Sequence, residues 1–251
     1  MKALVTGASS GIGREIAKYL SEKGIDLIIA SRDKAELEYM QKELKTNVQV
    51  VVIDLADEKR IKDLYMIVKH EKIDILVNNA GFGDFGDYKE ADIKKELNMI
   101  DVNVKAVHIL TRMILKDMVK KDHGYILNVA SSAGLLKGGP LMSCYYATKS
   151  YVVSFTNAIY EELRRNKSNV HISCLCPGPV RTNFNKVAGV KFNVKSMDAK
   201  TVARYGVDQM FKEKLTIVPG FSNRVGLFFM RFLSTKALLK MTYKFQERKN
   251  R

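Results

Sequence analysis

Lys2-Ala3-Leu4-Val5-Thr6-Gly7-Ala8-Ser9-Ser10-Gly11-Ile12-Gly13 is a short apolar run that breaks into a glycine turn. The run reads as a strand. Gly7, Gly11 and Gly13 make a G-x-x-x-G-x-G pattern and open a helix expected over Gly11–Lys23. Glycines let a backbone approach a pyrophosphate closely. The helix start adds free N–H groups and the positive end of a dipole. Gly7, Ser9, Ser10, Gly11, Ile12 and Gly13 are therefore candidate cofactor-binding residues. A glycine triplet alone is weak evidence; strand, turn and helix in that order raise it.

The same rhythm continues along the chain. Strands are expected at Ala3–Thr6, Asp26–Ala30, Val48–Ile53, Ile73–Asn78, Gly124–Ala130, Val170–Cys176 and Leu215–Val218. Several are near-continuous in Val, Ile and Leu, as strands covered on both faces are. Helices are expected between them, over Lys34–Leu44, Glu58–Lys69, Asp92–Lys120, Ser143–Arg165 and Ser196–Lys212. The alternation predicts an α/β fold: a doubly wound, Rossmann-type parallel sheet of seven strands, with helices on both faces. With no repeat or linker, residues 1–220 read as one domain, and 221–251 as a basic amphipathic helical extension of it. In such sheets ligands sit beyond the carboxyl ends of the strands. Gly7, Ser31, Asp54, Asn79, Ser131, Ser132 and Pro177 all follow strands.

The 251 residues are 46% hydrophobic, enough for a sizeable core. Cys144, Cys174 and Cys176 are an odd count without metal spacing, which argues against a disulfide framework. No signal peptide or membrane span is expected, since a strand starts at Lys2 and Arg231 interrupts the apolar Leu227–Met230. The expected place is the cytoplasm, or the surface of a membrane. The net charge of +15 invites a nucleic-acid reading. However, Phe221–Arg251 alone holds eight basic residues and one acid, the rest is spread over helix surfaces, and no recognition motif is present. Nucleic acid is not expected.

At the tip of the second strand, NAD-selective folds place an acid for the ribose 2′-hydroxyl. Here Ser31 and Arg32 stand there, a hydroxyl and a guanidinium suited to a 2′-phosphate. The expected cofactor is NADP(H), with NAD(H) as the alternative. Asp33 is a rival acid that reads as a helix N-cap, and Arg32 also fits an ordinary surface arginine. Asp54, followed by Leu55, can accept from an adenine amino group, or cap the next helix. Asn79, Ala80 and Gly81 leave room for adenine and ribose. Tyr145 and Lys149 lie four apart on one helix face. A buried ammonium favours a phenolate and would pull a phenol down from its usual ~10. Tyr146 and Tyr151 lack a lysine four positions on.

Taken together, Thr6–Gly13, Asn78-Asn79-Ala80-Gly81, Asn103, Ser132, Tyr145-x-x-x-Lys149 and Pro177-Gly178-Pro179-Val180-Arg181-Thr182 resemble the short-chain dehydrogenase/reductase family, over about residues 1–220. The resemblance implies hydride transfer between a nicotinamide cofactor and a small-molecule carbonyl or alcohol. The family's serine lies thirteen positions before its tyrosine, which selects Ser132 over Ser131. Ser132 would bond the substrate carbonyl and Tyr145 would move the proton. Lys149 would hold the nicotinamide ribose and lower the tyrosine pKa. Asn103 would hold a water linking Lys149 to solvent, or serve as a buried amide. Pro177, Gly178, the Val180 backbone and Thr182 would hold the carboxamide. Ser10 departs from NADP-preferring relatives that carry a basic residue there. A catalytically silent dinucleotide sensor or membrane-recruited scaffold is the rival reading.

The loops Phe82–Tyr88, Ala133–Met142 and Asn183–Lys195 carry Phe82, Phe85, Leu135, Leu136, Leu141, Met142, Phe184 and Phe192. This lining suits a hydrophobic ketone, 3-oxoacyl compound or secondary alcohol. Lys186, Lys191 and Lys195 would face water or an anionic substrate. Lys236, Lys240, Lys244 and Arg248 recur every four residues and form a basic stripe, with Leu238, Met241, Thr242 and Phe245 on another face. The tail is expected either to pack on the protein or to touch an anionic membrane. A homodimer or homotetramer is implied by the resemblance, through the helices Asp92–Lys120 and Ser143–Arg165.

Overall fold

The computed structural model describes residues 1–189 and 196–248. Its strands are β1 (Lys2–Thr6), β2 (Asp26–Ser31), β3 (Val48–Val52), β4 (Ile75–Asn78), β5 (Gly124–Val129), β6 (Val170–Leu175), β7 (Val180–Arg181), β8 (Met197–Asp198) and β9 (Thr216–Ile217). Its helices are α1 (Gly11–Glu22), α2 (Lys34–Glu43), α3 (Glu58–Val68), α4 (Ile93–Ile100), α5 (Val107–Lys121), α6 (Ser143–Arg165), α7 (Phe184–Ala188), α8 (Ala199–Phe211), α9 (Phe221–Met230) and α10 (Thr235–Glu247). Seven strands form one sheet in the order β3-β2-β1-β4-β5-β6-β9, and every neighbouring pair is parallel. The strand order reverses between β1 and β4. That is the point where a crevice opens beyond the strand ends.

Alternation along the strands explains helices on both faces. Val5, Ile29, Val77 and Leu127 pack with Ile16 and Leu20 of α1 and Val202 and Val207 of α8. Leu4, Ile28, Leu76 and Ile126 pack with Leu64 of α3 and Leu110 and Ile114 of α5. Each such side chain contributes about 1.5–3 kcal/mol by leaving water.

Three local departures from the sequence reading matter. The expected helix Asp92–Lys120 is instead α4, a π-helical stretch Asp101–Ala106, and α5. Single π turns insert an extra residue and occur at functional sites. This one carries Asn103. The helix expected from Ser196 begins at Ala199, because Met197–Asp198 pair with Val180–Arg181 as a two-stranded parallel ladder. Asp198 then caps α8 by accepting from Thr201 N at 2.8 Å.

The tail is two helices. In α10, Leu238, Thr242 and Gln246 form a buried stripe, while Lys236, Lys240, Lys244 and Arg248 stay exposed. Lys249 and Arg251 lie outside the described residues. Helix α9 buries none of its residues. Phe221, Phe228, Phe229 and Phe232 are 75%, 52%, 64% and 75% exposed. Among the described residues, no helix is long and apolar enough to cross a membrane.

Candidate active site

The glycine turn is braced from β4. The Thr6 hydroxyl donates to Val77 O at 3.2 Å and accepts from Asn79 N at 3.0 Å and Ala80 N at 3.2 Å. Asn79 Nδ2 donates to Thr6 O at 3.0 Å and Gly7 O at 3.1 Å. The Asn79 side chain thus holds the turn. Gly7 and Gly11 have φ of +64° and +56°, the left-handed region that suits glycine. A Cβ at Gly13 would fall into the Asn79 amide, and one at Gly11 would stand 3.1 Å from Thr182. Thr182 therefore reaches the turn across the crevice. Ser10 is extended and makes no capping bond among the described residues, so its hydroxyl is not committed to the helix. A cradle of this shape fits a dinucleotide pyrophosphate.

Beside it, Ser31 Oγ accepts from Asp33 N at 3.1 Å, and Asp33 caps α2 by accepting from Glu36 N. Arg32 is exposed and lies 3.7 Å from Asp54. Asp54 also accepts from Ala56 N, whereas the cap of α3 is Asp57. Leu55 points into the core, so only its backbone is open to a ligand.

Lys149 is buried and donates from Nζ to Val129 O at 3.0 Å. Burial pushes its ammonium down to about 8. Tyr145 moves the opposite way from the sequence expectation. Burial pushes its phenol up to about 12, and the Ser131 hydroxyl bond is what pulls it back. Lys149 is not among the groups that shift it, because its long chain carries the ammonium to the β5 carbonyl. The serine that reaches Tyr145 is Ser131, whereas thirteen-residue spacing selected Ser132. The count crosses the irregular loop 136–142, whose length no hydrogen-bond ladder fixes. Ser131 stays extended at the end of β5 and caps the turn Ser132–Leu135 by accepting from Ala133 N. Ser132 enters that turn, and its N–H donates to Pro177 O at 2.8 Å.

Asn103 is fully buried. Its Nδ2 donates to Phe82 O at 2.8 Å and Thr148 Oγ1 at 3.1 Å, and its Oδ1 accepts from Phe82 N at 3.0 Å. It thus ties α6 to the backbone after Gly81. A Cβ on Gly81 would approach Asn103 Oδ1 at 2.9 Å and Lys149 Nζ at 3.3 Å. Only glycine leaves that space open above the lysine.

The pocket wall around Tyr145 is apolar. Ala133, Met142 and Tyr146 cluster with Phe85, Leu136, Tyr145 and Phe184. The Phe184 ring lies 5.2 Å from that of Tyr145. Lys191, Phe192 and Lys195 lie outside the described residues, and the side chain of Lys186 is not described. Gly178 faces Asn223 of α9, so the tail also touches the Pro177-Gly178 turn. Burial raises the Cys144 thiol, which leaves it inert, and Cys174 and Cys176 are buried free thiols. Sequence reasoning missed the polar chain under the site. Asn78 Nδ2 donates to Thr111 Oγ1 and Asn128 Oδ1, and Asn128 Nδ2 donates to Thr156 Oγ1. Its members lie up to 50 positions apart within each bond, beyond any local pattern.

Residues 1–191 match the family model described as short chain dehydrogenase. An uncharacterised short-chain type dehydrogenase/reductase of Sinorhizobium fredii is 38% identical over 190 residues, covering 74% of this chain and 72% of that one. The human very-long-chain 3-oxoacyl-CoA reductase is 33% identical over 196 residues, covering 74% of this chain but 61% of that one. Among solved structures, a Burkholderia phymatum short chain dehydrogenase/reductase with NAD aligns with a TM-score of 0.83 at 26% identity, covering 90% and 91%. A Sphingobium yanoikuyae short-chain dehydrogenase with NADPH aligns with a TM-score of 0.82 at 23% identity, covering 93% and 96%.

Proposed function

The chain belongs to the short-chain dehydrogenase/reductase family of NAD(P)-dependent oxidoreductases, and on that premise we propose that it is an NADP(H)-dependent carbonyl reductase. Its substrate is a hydrophobic ketone or 3-oxoacyl compound, and the reverse reaction oxidises the secondary alcohol. The observation that carries the reading is Tyr145, a half-buried phenol that packs on Phe184 within an apolar wall and meets Ser131. With its pKa near about 12, Tyr145 is protonated throughout the neutral range. That is the state needed to donate a proton to a carbonyl oxygen.

A bound nicotinamide supplies the hydride to the carbonyl carbon. Ser131 donates a hydrogen bond to the carbonyl oxygen and orients it. As the C=O π bond opens, Tyr145 gives its proton to that oxygen and is left as phenolate. Lys149, whose ammonium is anchored on Val129 O, would hold the ribose of a bound cofactor. Asn103 keeps the Phe82 backbone clear of the lysine. Val180 and Thr182 would hold the carboxamide of a bound cofactor, and Ser9, Ser10 and Ile12 its pyrophosphate. Support for NADP(H) is Ser31 and Arg32. An exposed ion pair such as Arg32–Asp54 is worth little and is easily exchanged for a phosphate. Support for an acyl or ketone substrate is the apolar wall, together with the likeness to the human very-long-chain 3-oxoacyl-CoA reductase.

Two exposed surfaces complete the reading. Ile93, Leu97 and Ile100 make a bare apolar stripe on α4, suited to a second copy of the chain. The phenylalanines of α9 and the basic stripe of α10 suit a peripheral contact with anionic lipid.

The test is oxidation of NADPH, and separately NADH, against a panel of ketones, aldehydes and 3-oxoacyl thioesters. NADPH-preferring turnover is expected. Tyr145→Phe should bind NADPH normally and lose turnover by about 10²–10⁴-fold. Preference for NADH overturns the roles of Ser31 and Arg32. Near-normal turnover by the phenylalanine variant overturns the mechanism. Tight cofactor binding without turnover of any carbonyl moves the chain to the sensor reading.

A further inference from the structure

One hydrogen bond links the C-terminal helix to the substrate wall. Gln246 of α10 is fully buried, and its Nε2 donates to the Tyr146 hydroxyl at 2.6 Å, across 100 positions of sequence. Its Oε1 is buried and has no hydrogen-bond partner among the described residues. A bare buried amide oxygen is a cost that an apolar side chain would not carry. Packing therefore does not explain a glutamine here, whereas a grip on Tyr146 does.

Tyr146 is well placed to pass that grip to the substrate. Its ring sits 6.3 Å from that of Tyr145, edge to face at 78°. It belongs to the same apolar cluster as Met142, Leu136, Phe85 and Phe184. Its other side presses on Gly139, where a Cβ would fall inside the ring. The loop bearing Gly139 is clamped from outside by the tail. Leu239 of α10 lies 3.1 Å from a Cβ built on Gly138, and Lys137 Nζ donates to Leu233 O at 3.1 Å.

We propose that Gln246 is a positioning residue for substrate: it fixes Tyr146 as part of the pocket wall and so makes the C-terminal helix a determinant of specificity. The proposal rests on the carbonyl-reductase reading for its substrate. Gln246 touches neither the reacting atoms nor the cofactor cradle, so its effect falls on substrate affinity. The tail thereby does more than cover the domain.

The experiment compares the full-length protein with Gln246→Leu, Tyr146→Phe and the double variant. For a bulky apolar ketone, Gln246→Leu should raise KM about tenfold, with kcat within about twofold and NADPH affinity unchanged. The double variant should be no worse than the more affected single one, because one bond is lost only once. If Gln246→Leu does not fold, Tyr146→Phe, which removes only a hydroxyl, carries the same KM reading. In parallel, 3-fluorotyrosine placed at position 146 gives a fluorine resonance that should broaden or split in Gln246→Leu. An unchanged KM with an unchanged fluorine signal overturns the proposal, as does a loss confined to kcat. Wild-type protein that reduces no carbonyl, yet shows the fluorine change, overturns the reductase reading and leaves the grip on Tyr146 standing.

Discussion

Tyr145 and Lys149 share a helix face, yet their head groups answer to different partners. The lysine reaches the Val129 carbonyl, while the phenol packs beside Phe184 and meets Ser131. Four-residue spacing fixes the face but not where a long flexible side chain ends. The same limit explains the serine, since both candidates adjoin and only the turn at Ser132 decides between them. Ser131→Ala should lower kcat about 10²-fold, as loss of a positioned donor does, and Ser132→Ala by far less. Equal losses, read by NADPH oxidation, would return the role to Ser132. A pH profile tests the lysine. Its pKa lies near about 8 in the folded protein, below the usual 10.5, so the ammonium is lost as pH rises through that range. Hence kcat/KM for NADPH should fall above about pH 8, approaching tenfold per unit, while Tyr145 adds no limb below about 12. A flat profile to pH 10 would mean that the charge of Lys149 does not matter to cofactor capture.

Strands β1 to β6 were legible as short, largely apolar runs bounded by turn residues; β1, β2 and β4 are buried on both faces, whereas the edge strand β3 exposes Gln49 and Val52. Helices α1, α2 and α3 were legible from their apolar period, and Asp33 from its capping position. Strands β7 and β8 have two residues each and carry no period. They exist because the chain after Pro179 is met by Met197, a tertiary coincidence. The π stretch was invisible for a similar reason. A helix of ordinary composition widens at Asn103, where the buried amide is bonded on both sides to Phe82. The bracing of Thr6 and Gly7 by the Asn79 amide joins residues far apart in sequence and leaves no local signal. In the tail, the basic stripe was legible at its four-residue spacing. The division into α9 and α10 was not; of the face expected at Leu238, Met241, Thr242 and Phe245, Leu238 and Thr242 are buried, whereas Met241 and Phe245 are exposed and Gln246 takes the remaining buried place.

At the scale of the whole molecule, two bare apolar surfaces ask for two different occupants. The α4 stripe is flanked by Lys94 and Lys95 but carries no four-residue basic stripe like that of α10, and suits another copy of the chain. The phenylalanine face of α9 lies next to a strongly basic helix, which suits anionic lipid. Sedimentation velocity together with vesicle co-sedimentation separates the two. Wild-type protein should run as a dimer or larger and should bind phosphatidylglycerol vesicles, with binding weakened by salt. Phe229→Ser with Phe232→Ser should keep the assembly and lose the vesicles. Loss of assembly in that variant would make α9 the subunit interface, and vesicle binding that persists would remove lipid from the reading. The sequence carried the parallel α/β topology, the position of the glycine turn and the placing of Tyr145 and Lys149 on one helix. These are written in local periods, turn chemistry and motif order. Tertiary structure alone decided which serine meets the phenol, where the lysine spends its charge, and that Gln246 of α10 reaches Tyr146. Those outcomes depend on contacts across irregular loops and large sequence separations, which no local pattern encodes.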